Sequence, residues 1–192
     1  MKAYRKLKAV LDLLLALVLL VPLAPVLLLV AIAIRLESRG PAVYKQERVG
    51  ADNHPFTIYK FRSMKVGTPV LSTEEMQRQN YSPFTRLGPL LRKSNLDELP
   101  QLFNILKGEM SFIGPRPALP SQEDVNTLRT ARGVSPLRPG ITGLAQVMGR
   151  DDLDTETKVT YDAEYARSMS LLLDFSILVR TCGAVLTARG NK

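Results

Sequence analysis

Residues 13–34 contain no charged or hydrogen-bonding side chain. A helix needs about 20 apolar residues to cross the hydrocarbon core of a bilayer. A cleaved signal peptide is the alternative, because basic residues precede the run and Ala31-Ile32-Ala33 resembles a cleavage site. The run exceeds the roughly 7–15 residues of a signal-peptide core, and Asp12 stands at its start. The sequence therefore favours a retained membrane segment.

Two features bear on the path of this segment through the membrane. Pro22 and Pro25 lie near its middle, where each removes a backbone donor and favours a bend. Basic residues flank the run on both sides: Lys2, Arg5, Lys6 and Lys8 before it, and Arg35, Arg39, Lys45 and Arg48 after it. A single span is usually basic on one side only. A re-entrant helix that enters and leaves through one leaflet is slightly favoured over a kinked span.

The charge of the chain predicts an anionic partner. A formal net charge of +8 and a pI near 9.8 suit nucleic acid, phospholipid headgroups or a phosphorylated substrate. Nucleic acid is disfavoured because tryptophan is absent and aromatic residues are only 6%. One cysteine, Cys182, and one histidine, His54, allow neither an internal disulfide nor a Cys/His zinc cluster. A metal here would take oxygen ligands, which favours Mg²⁺.

The rest of the chain predicts a mainly α fold of the α+β class. Residues 43–49 and 56–61 alternate in part and predict a β-hairpin. Helices are expected at 86–108 in two pieces, 123–133, 155–166 and 171–186, and proline-glycine loops at 114–117 and 138–143. The last helix carries Asp174 and Arg180 and is too polar for a comfortable span, so a core or interfacial position fits better. We divide the chain into a membrane segment, 1–39, and a cytosolic or interfacial domain, 40–192, with a polar loop at 66–83.

Asp97 and Glu98 are adjacent carboxylates with two interpretations. In the structural one, Asn95 caps a helix and Glu98 completes a capping box. In the functional one, Asp97 attacks phosphorus while its neighbour holds a cation. Arg116 shifts the balance, because Pro115 and Pro117 restrict its backbone and a guanidinium matches phosphate geometry. Other arginines lie beside helix starts and proline-glycine loops: Arg92, Arg138 and Arg150.

These motifs closely resemble the bacterial sugar transferases, the monotopic phosphoglycosyl transferases, almost from end to end. The matching motifs are KFRSM at 60–64, LR at 91–92, LDELPQL at 96–102, KGEMS at 107–111, GPRP at 114–117, RPGITG at 138–143 with AQ at 145–146, GR at 149–150, and Asp162 with Tyr165. The resemblance implies that a sugar 1-phosphate passes from a UDP-sugar to undecaprenyl phosphate with release of UMP. It also implies a re-entrant helix broken at Ala24-Pro25, and a catalytic domain on the cytoplasmic face of the bacterial inner membrane, in contact with its phospholipid.

The resemblance also implies roles for individual residues. Asp97 would be the catalytic nucleophile that forms a covalent phosphosugar intermediate, and Glu98 its catalytic neighbour, the two together holding Mg²⁺. Substrate binding is expected from eight residues: Lys60, Arg62, Arg92, Arg116, Arg138, Gln146, Arg150 and Asp162. Of these, Lys60, Arg92 and Arg116 are expected to contact phosphates.

The sequence departs from the family pattern at three positions and leaves two other functions open. Leu144 stands where tryptophan is usual, Met148 where asparagine is common, and Asn95 where serine is usual. The first two bear on sugar or nucleotide preference. A one-step transferase without a covalent intermediate and a non-catalytic adaptor that binds anionic lipid are the alternatives.

Overall fold

The computed structural model describes residues 2–68, 83–149 and 152–186. Most of the predicted loop at 66–83 therefore lies outside the described residues. The α-helices described are α1 (Lys2–Glu37), α2 (Gly88–Lys93), α3 (Leu102–Leu106), α4 (Glu123–Ala131), α5 (Leu144–Met148), α6 (Thr155–Ser168) and α7 (Leu171–Leu186). The strands are β1 (Val43–Val49), β2 (Pro55–Phe61), β3 (Ser111–Ile113) and β4 (Gly140–Thr142), and a 3₁₀ helix spans Leu96–Gln101. The mainly α architecture with a small β component is confirmed.

Helix α1 is apolar and long enough to cross a membrane. Its most apolar 18-residue window has a mean hydropathy of 3.1, and only 6% of that window is buried. Pro22 and Pro25 both lie inside the helix, which does not end at Ala24-Pro25. A proline can be absorbed by a kink in a continuous helix, so the change of direction at this point stays a prediction.

Both ends of α1 contact the rest of the protein. At the first end, Tyr4 donates a hydrogen bond to Asp174 of α7 at 2.7 Å. At the other end, Ile34 is buried against Phe61 of β2 and Leu91 of α2. The middle also packs, because Ala16 is fully buried in a cluster with residues of β2 and α3. The helix is therefore supported along its length while its remaining face stays exposed and apolar.

The predicted hairpin is confirmed. Strands β1 and β2 pair antiparallel from Val43 opposite Phe61 to Val49 opposite Pro55. Asp52 and Asn53 form the turn with φ angles of 53° and 60°, values that Asp and Asn tolerate better than most residues do. The pairing brings Lys60, near the end of β2, onto the 3₁₀ helix that carries the two carboxylates.

The prediction that residues 138–143 form only a loop is wrong. Residues 140–142 are strand β4, which pairs parallel with β3, with Ser111 opposite Gly140. The backbones approach so closely that a Cβ on Gly140 would overlap the backbone nitrogen of Gly114. A three-residue strand rich in glycine and flanked by proline has no alternating pattern, which is why the sequence does not reveal it. Together β3 and β4 hold the two proline-glycine loops side by side.

Helix α7 presents an apolar outer face and a polar contact inward. Four large apolar side chains on it are more than half exposed: Leu171, Leu172, Phe175 and Val179. On the inner side Ile177 is fully buried, and Asp174 accepts hydrogen bonds from Tyr4 and Tyr165. This distribution is that of an amphipathic helix and fits the predicted interfacial position.

Candidate active site

The carboxylate pair lies on the 3₁₀ helix, and the predicted capping box is wrong. Asn95 precedes that helix in a left-handed conformation, φ 55°, and makes no side-chain cap. Glu98 instead accepts a hydrogen bond from Lys60 Nζ at 2.7 Å. The short helix thus presents Asp97 and Glu98 toward the hairpin.

Glu98 is held by two cations. Besides Lys60, the Nη2 atom of Arg116 lies 3.6 Å from the same Oε1 atom. The side chains of Lys60 and Glu98 are 20% and 11% exposed, whereas that of Arg116 is 42% exposed. Burial lowers the pKa of Lys60, and the Glu98 carboxylate opposes this shift. Because the Arg116 side chain is 42% exposed, much of its guanidinium is accessible to a ligand.

The Asp97 side chain is buried, and no hydrogen bond from the described residues holds it in place. Its residue exposure is 6%, and within the described part of the chain no donor hydrogen-bonds its carboxylate. Burial raises the pKa of Asp97, the Lys60 charge lowers it, the Glu98 charge raises it, and Arg92 and Arg116 lower it. The two adjacent carboxylates thus differ. Glu98 accepts a hydrogen bond from Lys60. Asp97 accepts none from the described residues, and three nearby cations lower its pKa.

The loop that carries Arg116 is fixed through three consecutive carbonyl oxygens. Arg129 Nη1 donates to the carbonyl of Arg116 at 2.8 Å, and Arg48 Nη1 donates to that of Pro117 at 3.1 Å. The backbone N–H of Val49 donates to the carbonyl of Ala118 at 3.0 Å. The restriction that the flanking prolines predict is therefore reinforced by the hairpin and by α4.

Asp162 acts on this loop through Arg129. The Arg129 guanidinium donates from Nε and Nη2 to Asp162 Oδ2, at 2.9 and 2.6 Å. Burial raises the pKa of Asp162, and the charge of Arg129 and its hydrogen bonds oppose this. Through Arg129, Asp162 supports the loop that carries Arg116, and it is not among the described lining residues of the cleft. Its part in substrate binding stays a prediction.

Sequence reasoning missed Arg129 and Arg48 as parts of the site. Arg48 lines the same cleft as Lys60, Glu98 and Arg116, and burial followed by the charge of Arg116 lowers its pKa to about 10. It therefore stays protonated at neutral pH. Among the described lining residues of this cleft, three cations face one carboxylate, which suits a phosphorylated ligand.

The structure does not place Arg62 among the described lining residues of this cleft, and its role in substrate binding stays a prediction. Its side chain is buried, and its donors serve the end of α1: Nη1 donates to the carbonyl of Arg39, and Nη2 to the carbonyl and hydroxyl of Ser38. The first four residues of a helix have unbonded N–H groups and the last four have unbonded carbonyls, so a guanidinium is well suited to close a C-terminal end. Arg62 therefore stabilises the C-terminal end of α1.

The other predicted binding residues are distributed around the fold. Arg92 stacks over the Phe84 ring, 5.0 Å from its centroid, and acts on Asp97 through its charge. Gln146 Nε2 donates to the carbonyl of Ile141 at 3.4 Å and so contacts the second proline-glycine loop. Arg138 lines a different cavity, beside the start of α1. Arg150 lies outside the described residues.

The described residues supply only part of the ligands that a hard divalent cation needs. Within the described residues no group of three or more His, Cys, Asp or Glu side chains could enclose a metal. Mg²⁺, however, is commonly held by one or two carboxylates together with substrate phosphates and water. The adjacent carboxylates of Asp97 and Glu98 meet that requirement, with one oxygen of Glu98 shared with Lys60.

The sequence is similar to known proteins over almost its whole length. A protein of Caulobacter vibrioides named UDP-glucose:undecaprenyl-phosphate glucose-1-phosphate transferase is 40% identical over 187 residues, which cover 94% of this chain and 70% of the relative. An undecaprenyl-phosphate glucose phosphotransferase of Komagataeibacter xylinus is 41% identical, covering 91% of this chain and 35% of its own. An Escherichia coli relative with the same name as the Caulobacter protein is 39% identical, covering 92% and 39%.

The chain thus spans most of one of these relatives and well under half of the other two. The sequence model of the family described as bacterial sugar transferase matches residues 3–188. That match includes every part of the cleft described above. The chain belongs to the bacterial sugar transferase family.

Proposed function

We propose that this protein is a phosphoglycosyl transferase that moves a sugar 1-phosphate from a UDP-sugar to undecaprenyl phosphate and releases UMP. The observation that carries the proposal is the buried carboxylate of Asp97, which accepts no hydrogen bond from the described residues and whose pKa the charges of Lys60 and Arg116 lower. The names of the relatives point to the same substrate classes. A carboxylate oxygen that accepts no hydrogen bond has its lone pairs more available for attack on phosphorus.

In the first step an Asp97 carboxylate oxygen attacks the β-phosphorus of the UDP-sugar. The bond from that phosphorus to the oxygen bridging to the α-phosphorus breaks, and UMP leaves with the bonding electrons. In the second step a phosphate oxygen of undecaprenyl phosphate attacks the same phosphorus, and the Asp97 carboxylate is released. The products are UMP and an undecaprenyl diphosphate sugar.

The cations of the cleft bind and orient the phosphates. Arg116, fixed through its own backbone, offers its accessible guanidinium, and Arg48 adds a second positive charge. Lys60 keeps Glu98 in place and helps to keep Asp97 ionised. Mg²⁺ held by Asp97 and Glu98 would supply further neutralisation of phosphate charge.

We place this activity at the cytoplasmic face of the bacterial inner membrane, with α1 re-entrant. The support is that Tyr4 at one end of α1 and Ile34 at the other both contact the same folded body. A straight span would carry its ends to opposite sides of the bilayer. The basic flanks on both sides of the apolar run agree with a same-side path.

The decisive experiment combines intact mass measurement with product analysis in the absence of acceptor. The purified full chain is incubated with Mg²⁺ and one UDP-sugar at a time: UDP-glucose, UDP-galactose or UDP-N-acetylgalactosamine. We expect one equivalent of UMP and a sugar-phosphate adduct that disappears when undecaprenyl phosphate is added. A one-step transferase would release UMP only with acceptor present, and a non-catalytic adaptor would release none with any UDP-sugar.

The pH dependence of the reaction should report on Asp97. Asp97 must be ionised to attack, so kcat/KM should fall as pH falls through its pKa, which burial raises above the ordinary value. Because the Lys60 charge lowers this pKa, Lys60→Gln should raise it and move the acid limb to higher pH. The control is Lys107→Gln, since Lys107 lies on the exposed surface against Tyr59. An acid limb at the same pH in Lys60→Gln and wild type would contradict this assignment.

The positioning role of Arg129 can be separated from charge. Arg129→Lys keeps a cation beside Asp162 but loses the planar fork that also reaches the Arg116 carbonyl. We expect KM for the UDP-sugar to rise about tenfold, the size expected for losing one or two charge-assisted hydrogen bonds. Arg132→Lys is the matched control, because Arg132 pairs with Glu156 on the surface. Equal KM values for the two variants would remove Arg129 from this role.

A further inference from the structure

A second positively charged cavity lies beside the start of α1. Its volume is about 260 Å³. It lies between the first turns of α1 on one side and β3, the segment before β4 and the end of α6 on the other. Its basic lining residues are Arg5, Lys6, Lys8 and Arg138. Among the described residues, the lining of this cavity and that of the cleft around Glu98 and Arg116 have no member in common. The proposed transfer reaction does not use this cavity.

Most of the positive charge in this cavity is not neutralised by the protein. Lys8 is paired with Asp174 at 2.9 Å and with Asp12 at 3.5 Å. Arg5, Lys6 and Arg138 make no ion pair with any described residue. In addition, Arg5 Nε is buried and has no hydrogen-bond acceptor among the residues that the structure describes. A buried donor of this kind indicates that an acceptor from outside the chain completes the site.

The position of the cavity restricts which anion can enter it. The apolar run begins at Leu13, and Leu7, Val10 and Leu11 on the preceding turns are already exposed to a large degree. This end of α1 therefore lies at the depth of lipid headgroups, where basic pockets bind anionic lipid. The volume is below the roughly 300–1,000 Å³ of pockets for drug-sized ligands, so it suits a headgroup better than a nucleotide sugar.

We propose that this cavity binds the phosphate group of an anionic membrane lipid, with Arg5, Lys6 and Arg138 donating to its oxygens. Apolar lining residues, among them Leu137 and Met169, receive the adjoining glycerol or chain carbons. The bound headgroup joins the first turns of α1 to the segment before β4. The proposal concerns lipid retention alone and does not depend on the transferase reaction.

Native mass spectrometry of the full chain in detergent provides the test, without any UDP-sugar. Phosphatidylglycerol and, separately, phosphatidylcholine are titrated against wild type, Arg5→Gln/Arg138→Gln and the control Arg35→Gln/Arg39→Gln. The control removes the same charge from exposed positions near the other end of α1. We expect one retained phosphatidylglycerol, affinity reduced about tenfold or more in the cavity variant, and less than about threefold in the control. Phosphatidylcholine should be retained by none.

Competition with undecaprenyl phosphate identifies the source of the phosphate. Displacement of phosphatidylglycerol by undecaprenyl phosphate would assign the cavity to the polyprenyl lipid, and resistance to it would assign the cavity to bulk phospholipid. Equal losses in the cavity and control variants, or equal retention of the two phospholipids, would overturn the proposal. So would binding of inorganic phosphate with no retained lipid. If the double variant does not fold, phosphatidylglycerol binding by Lys6→Gln, a substitution at an exposed position, is compared with binding by Arg35→Gln in the same titration, and the same outcomes apply.

Discussion

Replacing Asp97 by asparagine is expected to lower the rate of sugar 1-phosphate transfer by at least about ten-thousandfold, the scale seen when a nucleophile is removed from an enzyme. The amide has nearly the shape of the carboxylate but lacks the negative charge that attacks phosphorus. The pocket around position 97 should persist, because no described donor hydrogen-bonds the carboxylate. UMP release with and without acceptor, together with intact mass, measures the effect.

The control for this prediction is Asp52→Asn. Asp52 lies on the exposed hairpin turn with a φ of 53°, a conformation that asparagine also tolerates. We expect this variant to keep wild-type activity and to form the adduct. A sugar-phosphate adduct that persists in Asp97→Asn would remove Asp97 as the nucleophile, and the neighbouring Glu98 would be the next residue to replace.

The second large effect is expected on stability, from Asp174→Ala. The Asp174 carboxylate is buried and accepts from Tyr4 and Tyr165, both at 2.7 Å, while Lys8 lies 2.9 Å away. Removing it leaves the buried Lys8 cation with only Asp12, the Tyr4 hydroxyl without its acceptor, and the Tyr165 hydroxyl with only the Ile113 carbonyl at 3.3 Å. Breaking a buried pair costs about 3–5 kcal/mol of the free energy of unfolding. In a chain of this size that corresponds to a fall in Tm of about 10 °C.

Glu156→Gln is the matched comparison. Glu156 pairs with Arg132, but its side chain is 69% exposed. Exposed pairs contribute about 0–1 kcal/mol, so its Tm should change by no more than about 3 °C. Thermal unfolding in nanodiscs checks both values. Shifts of similar size in the two variants would mean that the Asp174 contacts do not hold α1 against α7.

The parts of the fold with local patterns were predictable from the sequence. Alternation with a polar turn predicted the hairpin within one residue at each strand. The helices expected within residues 86–108 were likewise predictable, and Leu102 and Ile105 of α3 are buried. The parallel pairing of β3 and β4 was not predictable, because three-residue strands have no periodicity and their partners are far apart in the chain.

The candidate site shows the same division. The carboxylate pair and the constrained Arg116 are recognisable because each is a short motif. The pairing of Glu98 with Lys60 joins residues 38 positions apart, and that of Arg129 with Asp162 joins residues 33 positions apart. No spacing rule links such residues. Arg62 illustrates a related point: an arginine in a sequence motif looks the same whether it binds phosphate or, as in this structure, backbone carbonyls at the end of α1.

The contact between Tyr4 and Asp174 sets the order of events during synthesis. The two residues are 170 positions apart, and every one of those residues must be made before the hydrogen bond can form. At the roughly 5–20 residues per second of translation, this takes about 10–30 seconds. The apolar helix α1 is therefore complete well before α7 exists. During that interval Lys8 has only Asp12, four residues on, as the ion-pair partner seen in the finished structure.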